Sequence, residues 1–132
     1  MVSIEEARRR IVEALNRVDS LLEQAYQVRS RASKVFREAI DSYLEWPDRY
    51  MVLNRPTWRE RIDVARKLMT SEEGKRLLDE AARLFEEADR LTEEARMVFG
   101  MLPYDDLTFE NLVLLITHIL HIVGLIGDDK SK

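Results

Sequence analysis

The first 46 residues of the chain contain neither glycine nor proline, and a regular apolar stripe runs through nearly all of them. Its members recur at alternating spacings of three and four residues, as on one face of an α-helix. They are Ile4, Ala7, Ile11, Ala14, Val18, Leu21, Ala25, Val28, Ala32, Val35 and Ala39. Ser3 with Glu6 has the spacing of a capping box, and Pro47 stops the pattern. The stripe predicts one helix over about 4–46, ~64 Å long if straight, with any kink near residues 29–33.

Three more helices are predicted from helical periodicity and from threonines that can cap a helix start. The capping residues are Thr57, Thr70 and Thr108, and the first two have a glutamate three residues later. The apolar faces of the second and third helices differ by roughly 90° in projection, which predicts a sharp bend at "MTS". Gly100 is a candidate C-cap. The predicted helices cover about 57–69, 71–99 and 108–126.

These elements predict an all-α chain, an up-down bundle of about four helices with a long first helix, in a single domain over 1–132. Short connections favour antiparallel neighbours. Alternating directions would make the first and third helices parallel and would bring the connections 47–56 and 100–107 to the same end of the bundle.

The composition argues against several classes of function. The net charge of −4 disfavours a nucleic-acid partner, and the absence of cysteine excludes thiolate metal sites and disulfide scaffolds. The apolar run from Leu112 to Ile126 is shorter than the roughly 20 residues of a membrane span, and no signal peptide is recognised. We expect a soluble, cytoplasmic protein with no membrane partner.

The motifs of common enzyme classes are also missing. The chain contains no HExxH, no P-loop and no glycine-rich dinucleotide turn, and the acidic residues alternate with arginine as on solvated helix faces. We therefore expect no enzymatic activity, no catalytic residues, no cofactor and no bound metal.

The only two histidines lie in the stretch "NLVLLITHILHIVGLIG", residues 111–127. A helical projection places His118 and His121 with Leu114 and Leu125 on the face opposite the wholly apolar arc. A haem or metal site would need further ligands. An uncharged face containing leucines is typical of an interface core, although half-buried histidines without a role and a pocket lining stay open as interpretations.

A second candidate site consists of the aromatic and methionine side chains in or beside the two connections expected at one end. Tyrosine, tryptophan and methionine are favoured at interfaces, and the same residues could line a ligand pocket or simply plug the end of the bundle. The candidates are Trp46, Tyr50, Met51, Trp58, Met101 and Tyr104.

The segments "SIEEARRRIVEAL" and "TSEEGKRLLDEAARLFEEADRLTEEAR", with their capping boxes and Glu/Arg/Ala/Leu faces, resemble computationally designed α-helical bundles. "YLEWPDRYMVLNRPTW" departs from that idealised style, and so does "MVFGMLPYDDLTFENLVLLITHILHIVG". In designed binders such irregular segments usually form the target-binding part. The resemblance implies a binding protein rather than an enzyme.

The leading functional hypothesis is a protein partner bound through the outer face of the fourth helix, through the 47–58/99–109 end, or through both. The alternative is a small-molecule or porphyrin-binding bundle with a pocket at the aromatic end. A third hypothesis is self-association, in which a second copy covers the apolar fourth helix.

Overall fold

A computed structural model describes residues 3–100 of the chain, without the side chains of Ile4 and Ala7. This part is almost wholly helical and contains no strand. Its elements are α1 (Ile4–Tyr43), α2 (Asp48–Leu53), α3 (Trp58–Leu68) and α4 (Glu72–Gly100). The predicted all-α class with a long first helix is confirmed. The predicted helix over 108–126 lies outside the described residues, and α2 falls where a plain connection was expected.

Helix α1 runs without interruption through residues 29–33 and ends at Tyr43, three residues before the predicted end. The Glu6 amide donates to Ser3 Oγ at 3.1 Å, as the capping box predicts. The Glu6 carboxylate instead accepts from Arg9 and Arg10. The helix therefore begins at the predicted cap, but the Glu6 side chain binds the neighbouring arginines and does not complete the capping box.

The buried stripe of α1 is broader than the sequence pattern predicted. Ala25, Ala32 and Ala39 are buried as expected, which supports close helix packing along this seam. The pattern omitted four residues that are also buried, because a straight helix drifts about 20° per heptad from a strict repeat. They are Leu15, Phe36 and Ile40 within α1, and Leu44 directly after its end.

Helices α3 and α4 are separate, as the bend at "MTS" predicted, but the cap of α4 differs from the prediction. Thr57 caps α3 by accepting from the Glu60 amide at 3.2 Å. At α4, Ser71 Oγ accepts from the Gly74 amide at 3.2 Å. The predicted cap, Thr70, is therefore wrong by one residue, because the chain stays extended through Met69 and the helix begins only at Glu72.

The chain divides into two compact units, residues 22–93 and the remainder. In the remainder, Ile11, Leu15 and Ala95 are buried, and Arg17 pairs with Glu94 at 3.4 Å. The prediction of one domain over 1–132 stays a prediction.

The unit of residues 22–93 has its own core, made by α1, α2, α3 and α4 together. The fully buried side chains of Ile40, Val52, Ile62 and Leu78 contribute one from each of the four helices. Each helix therefore buries an apolar face against the others, which is the main source of stability in a helical fold.

Within this unit, α4 runs antiparallel to α1. Arg29 Nη2 lies 3.0 Å from Asp89 Oδ1. Further along α1, the Phe36 ring meets the Phe85 ring edge-on at 6.5 Å between centroids. Later residues of α1 thus contact earlier residues of α4.

Helix α4 also runs antiparallel to α3. Trp58 at the start of α3 donates from Nε1 to Asp89 Oδ2 at 3.0 Å. Arg66, near the end of α3, reaches Asp79 at 3.1 Å. Since α1 and α3 both oppose α4, they run in the same direction.

The predicted alternation, with the helix over 71–99 parallel to the first helix, is therefore wrong. The reason is the segment between α1 and α3. After α1 ends, this segment runs back alongside α1, so that α3 begins beside residues 29–37 of α1 and not at its end. Val52 is buried in the core, and Leu53 and Pro56 line the same cleft as Phe36. The prediction that the connections 47–56 and 100–107 share one end of the bundle depended on this alternation and no longer follows. Residues 101–107 lie outside the described part.

Candidate functional site

Large aromatic side chains are exposed where α1 ends and α2 begins. Tyr43, Trp46 and Tyr50 are 38%, 64% and 54% exposed. The Trp46 and Tyr50 rings are 5.4 Å apart between centroids, and Tyr43 and Trp46 line one shallow hollow. These three residues are called the aromatic surface. Met51, also exposed, follows directly on α2.

The local sequence explains why these rings face outward. Val52 is the buried residue of α2. At 100° per residue, Tyr50 lies about 200° from Val52 and hence on the opposite side of the short helix. Trp46 precedes Pro47, which has no amide hydrogen with which to continue α1.

The hollow beside the aromatic surface has a volume of about 600 Å³. Its charged lining consists of Asp41, Glu45 and Arg49. Arg49 Nη1 lies 3.7 Å from Asp41 Oδ1, a weak contact. The hollow combines apolar rings with two carboxylates and one arginine, and Asp41 also forms an ion pair with Arg37 of α1 at 3.7 Å.

Trp58 lies in a different place, at the junction of α1, α3 and α4. Its ring stacks on Phe85 at 5.1 Å with an interplanar angle of 13°. The Arg59 guanidinium lies over the same ring, 4.4 Å from its centroid. Asp89 accepts from Trp58 Nε1 and from Arg29 Nη2, each at 3.0 Å. These contacts hold the half-buried indole in one orientation.

A cleft of about 490 Å³ opens beside Trp58. Its floor is aromatic, and several of its polar side chains are arginines. The lining residues that matter here are Arg29, Phe36, Arg37, Trp58, Arg61, Phe85 and Asp89. A concave apolar floor with a few polar groups is the usual form of a small-molecule site.

The structure brings together some of the predicted site residues. Trp46, Tyr50 and Met51 lie together at the end of α1 and on α2, whereas Trp58 belongs to the cleft. The predicted site residues Met101, Tyr104, Leu114, His118, His121 and Leu125 lie outside the described residues.

Sequence reasoning missed most of the cleft. Phe36 falls outside the predicted apolar stripe of α1, Phe85 was not singled out, and Asp89 looks like one more surface carboxylate. The only local indication was Trp58 at the first position of a helix. A partly buried indole needs an acceptor for its Nε1 hydrogen, and that acceptor had to come from another part of the chain.

The clearest electrostatic effects lie outside both sites. A hydrogen bond from Arg9 lowers the pKa of Glu6, and one from Arg76 lowers the pKa of Glu73. Both glutamates are in the first turns of their helices, where the helix dipole also favours negative charge.

Among residues 3–100, no three His, Asp or Glu side chains converge in a way that could hold a metal ion. In the same part of the chain, no helix has both the length and the hydropathy of a membrane span.

Comparison of the chain with protein-family models, with curated proteins and with solved structures gives no match. The case for function therefore rests on the geometry of the aromatic surface and of the cleft.

Proposed function

We propose that the protein is a binding protein that engages a protein partner through the aromatic surface. The observation that carries the proposal is the exposure of Trp46 and Tyr50 side by side, with their rings 5.4 Å apart. The resemblance of the sequence to designed bundles also supports a binding role rather than catalysis.

The energetic argument concerns the water around the two rings. Tryptophan and tyrosine dominate binding hot spots because they bury much area while losing few rotatable bonds. Each large aromatic side chain can bury on the order of 150–250 Å². A partner covering both would remove this apolar area from water.

The lining of the hollow indicates what kind of partner fits. Asp41 and Glu45 outnumber Arg49 there. A partner segment with an apolar side chain flanked by lysine or arginine would place its apolar group on the rings and its cation beside the carboxylates. Such charge complementarity contributes to specificity and association rate.

The test is a peptide-display selection against the protein, followed by affinity measurement on variants. We expect enriched peptides to lose affinity by about 30-fold or more on the variant with Trp46→Ala and Tyr50→Ala, because hot-spot truncations cost about 2 kcal/mol or more.

The matched control is Tyr26→Ala, which removes a ring that is 71% exposed on α1 away from the aromatic surface. Affinity should be unchanged in that variant. Selected peptides that bind the double variant as tightly as the parent would contradict the proposal.

The fourth predicted helix is a second part of the same proposal and rests on its sequence alone. The face of that helix with Leu114, His118, His121 and Leu125 is called the histidine face. Replacing both leucines with glutamate should abolish partner binding through this face while the helical content is retained. Unchanged affinity for a selected partner would exclude this face, including His118 and His121.

Self-association through that helix is tested separately by light scattering. A mass that rises with protein concentration supports association of two copies. A constant monomer mass at high concentration contradicts it.

The second candidate function is binding of a small molecule or porphyrin, and the cleft beside Trp58 supports it. A haem titration tests the porphyrin version, since binding should shift the Soret band. An unshifted Soret band would leave only smaller ligands for the cleft.

A further inference from the structure

The cleft is positively charged in a chain whose net charge is negative. Its lining contains Arg29, Arg37 and Arg61 but only one carboxylate, Asp89, which gives three positive charges minus one negative, or +2. The whole chain has a net charge of −4. The cleft is therefore a local reversal of the protein's overall charge.

Within the lining, the excess charge belongs to Arg37 and Arg61; Arg37 also forms an ion pair with Asp41, which lies outside the lining. Asp89 pairs with Arg29 through Oδ1 and accepts from Trp58 through Oδ2, so both of its oxygens are engaged. This ion pair compensates the charge of Arg29. Within the lining, Arg37 and Arg61 face no second carboxylate.

Both of these arginines approach an oxygen through Nε. Arg61 Nε donates to the Arg55 carbonyl oxygen at 2.7 Å. Arg37 Nε forms an ion pair with Asp41 Oδ2 at 3.7 Å, longer than a hydrogen bond, and Asp41 shares its charge with Arg49. Neither contact uses the terminal guanidinium nitrogens, the pair that can hold a carboxylate through two parallel bonds.

The floor of the cleft suits a flat apolar group. The Phe36 and Phe85 side chains that form it are 5% and 7% exposed, and Leu53 is half-buried beside them. The stacking and hydrogen bond of Trp58 fix one wall. A preformed wall reduces the entropy that a ligand must lose on binding.

We propose that the cleft binds a flat aromatic anion, with the ring on the Phe36–Phe85 floor and the carboxylate between Arg37 and Arg61. This assignment rests on the second candidate function and adds the chemical class of the ligand. It is independent of a protein partner at the aromatic surface.

The experiment uses the full chain and three probes that share one ring system: naphthoate, the neutral naphthamide and the cationic naphthylmethylammonium. Proton–nitrogen correlation spectra follow the two tryptophan indole N–H signals, assigned with a Trp46→Phe variant. Trp58 reports on the cleft and Trp46 on the aromatic surface, so each site has its own signal.

Naphthoate is expected to shift the Trp58 signal in a saturable manner and to leave the Trp46 signal in place. Its affinity should exceed that of naphthylmethylammonium by about tenfold to hundredfold, as expected for charge-assisted hydrogen bonds. Equal affinity of all three probes at Trp58 would overturn the anion assignment while keeping a small-molecule site. Failure of all three to shift Trp58 would overturn both.

Arginine variants locate the charge within the cleft. Arg37→Gln and Arg61→Gln should each lower the affinity for naphthoate by about tenfold and leave that for naphthamide unchanged. The control is Arg83→Gln, an exposed arginine of α4 outside the cleft lining. An equal loss of naphthoate affinity in the control would show a general effect of net charge and overturn the proposal. A variant whose cleft no longer forms would also lose its affinity for the neutral naphthamide, so this probe detects it.

Discussion

Gly74 is a buried glycine in the first turn of α4, and the space beside it is occupied by Met69. A Cβ atom at position 74 would lie 2.9 Å from Met69 Cε and 3.1 Å from Met69 Cγ. Met69 is only 3% exposed, so its thioether has little room to move away. The glycine therefore lets the end of α3 pack directly on the start of α4.

Gly74→Ala is expected to destabilise the protein by about 1–2 kcal/mol, because overpacking outweighs a gain of up to about 1 kcal/mol in helix propensity. In a Met69→Ala background the added methyl has room, so the same substitution should become neutral or stabilising. Urea unfolding of the four proteins measures this coupling.

Gly100→Ala is the control, since a methyl there would meet no described neighbouring atom within 4 Å. It should be neutral or slightly stabilising. A Gly74→Ala effect that is the same in both backgrounds would contradict the role assigned to Met69.

At the scale of elements, the start of α4 shows how one hydrogen bond decides a boundary. Both Thr70 and Ser71 can cap a helix, and the sequence pattern favoured Thr70 because Glu73 follows three residues later. The chain is still extended at Met69, and the hydroxyl that reaches the Gly74 amide belongs to Ser71. Glu73 pairs with Arg76 instead of completing a capping box.

Ser71→Ala is expected to destabilise the protein by about 1 kcal/mol through loss of the cap. Thr70→Ala, at an exposed neighbouring position, should change stability by no more than about 0.5 kcal/mol. Thermal or urea unfolding of the pair gives the comparison. A larger loss of stability for Thr70→Ala than for Ser71→Ala would support the predicted capping box at Thr70 and contradict the observed cap at Ser71.

At the scale of the whole molecule, Phe85 links three of the four described helices. It belongs to α4, meets Phe36 of α1 edge-on and stacks on Trp58 of α3. It is 7% exposed and also forms part of the cleft floor. One side chain therefore supports both the core of residues 22–93 and the proposed ligand site.

Phe85→Ala is expected to cost about 3–5 kcal/mol in the free energy of unfolding, the usual range for a buried phenylalanine. The near-ultraviolet circular dichroism of Trp58 should also weaken, because its stacking partner is lost. Tyr26→Ala, at a 71% exposed ring, is the control and should cost about 0.5 kcal/mol or less. A cost below about 1 kcal/mol at Phe85 would contradict its central position.

The sequence by itself determined helices α1, α3 and α4 and the grouping of aromatic residues around Pro47. Capping and helical periodicity act over three or four residues, so α1, α3 and α4 could be predicted from local pattern alone. Trp46, Tyr50 and Met51 could be chosen as candidates because they lie within six residues of one another around Pro47, but their predicted grouping with the 100–107 connection rested on a helix direction that is wrong.

Only the tertiary structure decided the direction of α4 and the composition of the cleft. The return of the 44–57 segment depends on burying Val52 in a core made by distant helices. Trp58 and Asp89 are 31 residues apart, and Arg29 and Asp89 are 60 apart. Contacts at such separations form only when the burial of apolar surface offsets the loss of chain entropy. This depends on residues far apart in the sequence, so the periodicity of a short segment cannot predict it.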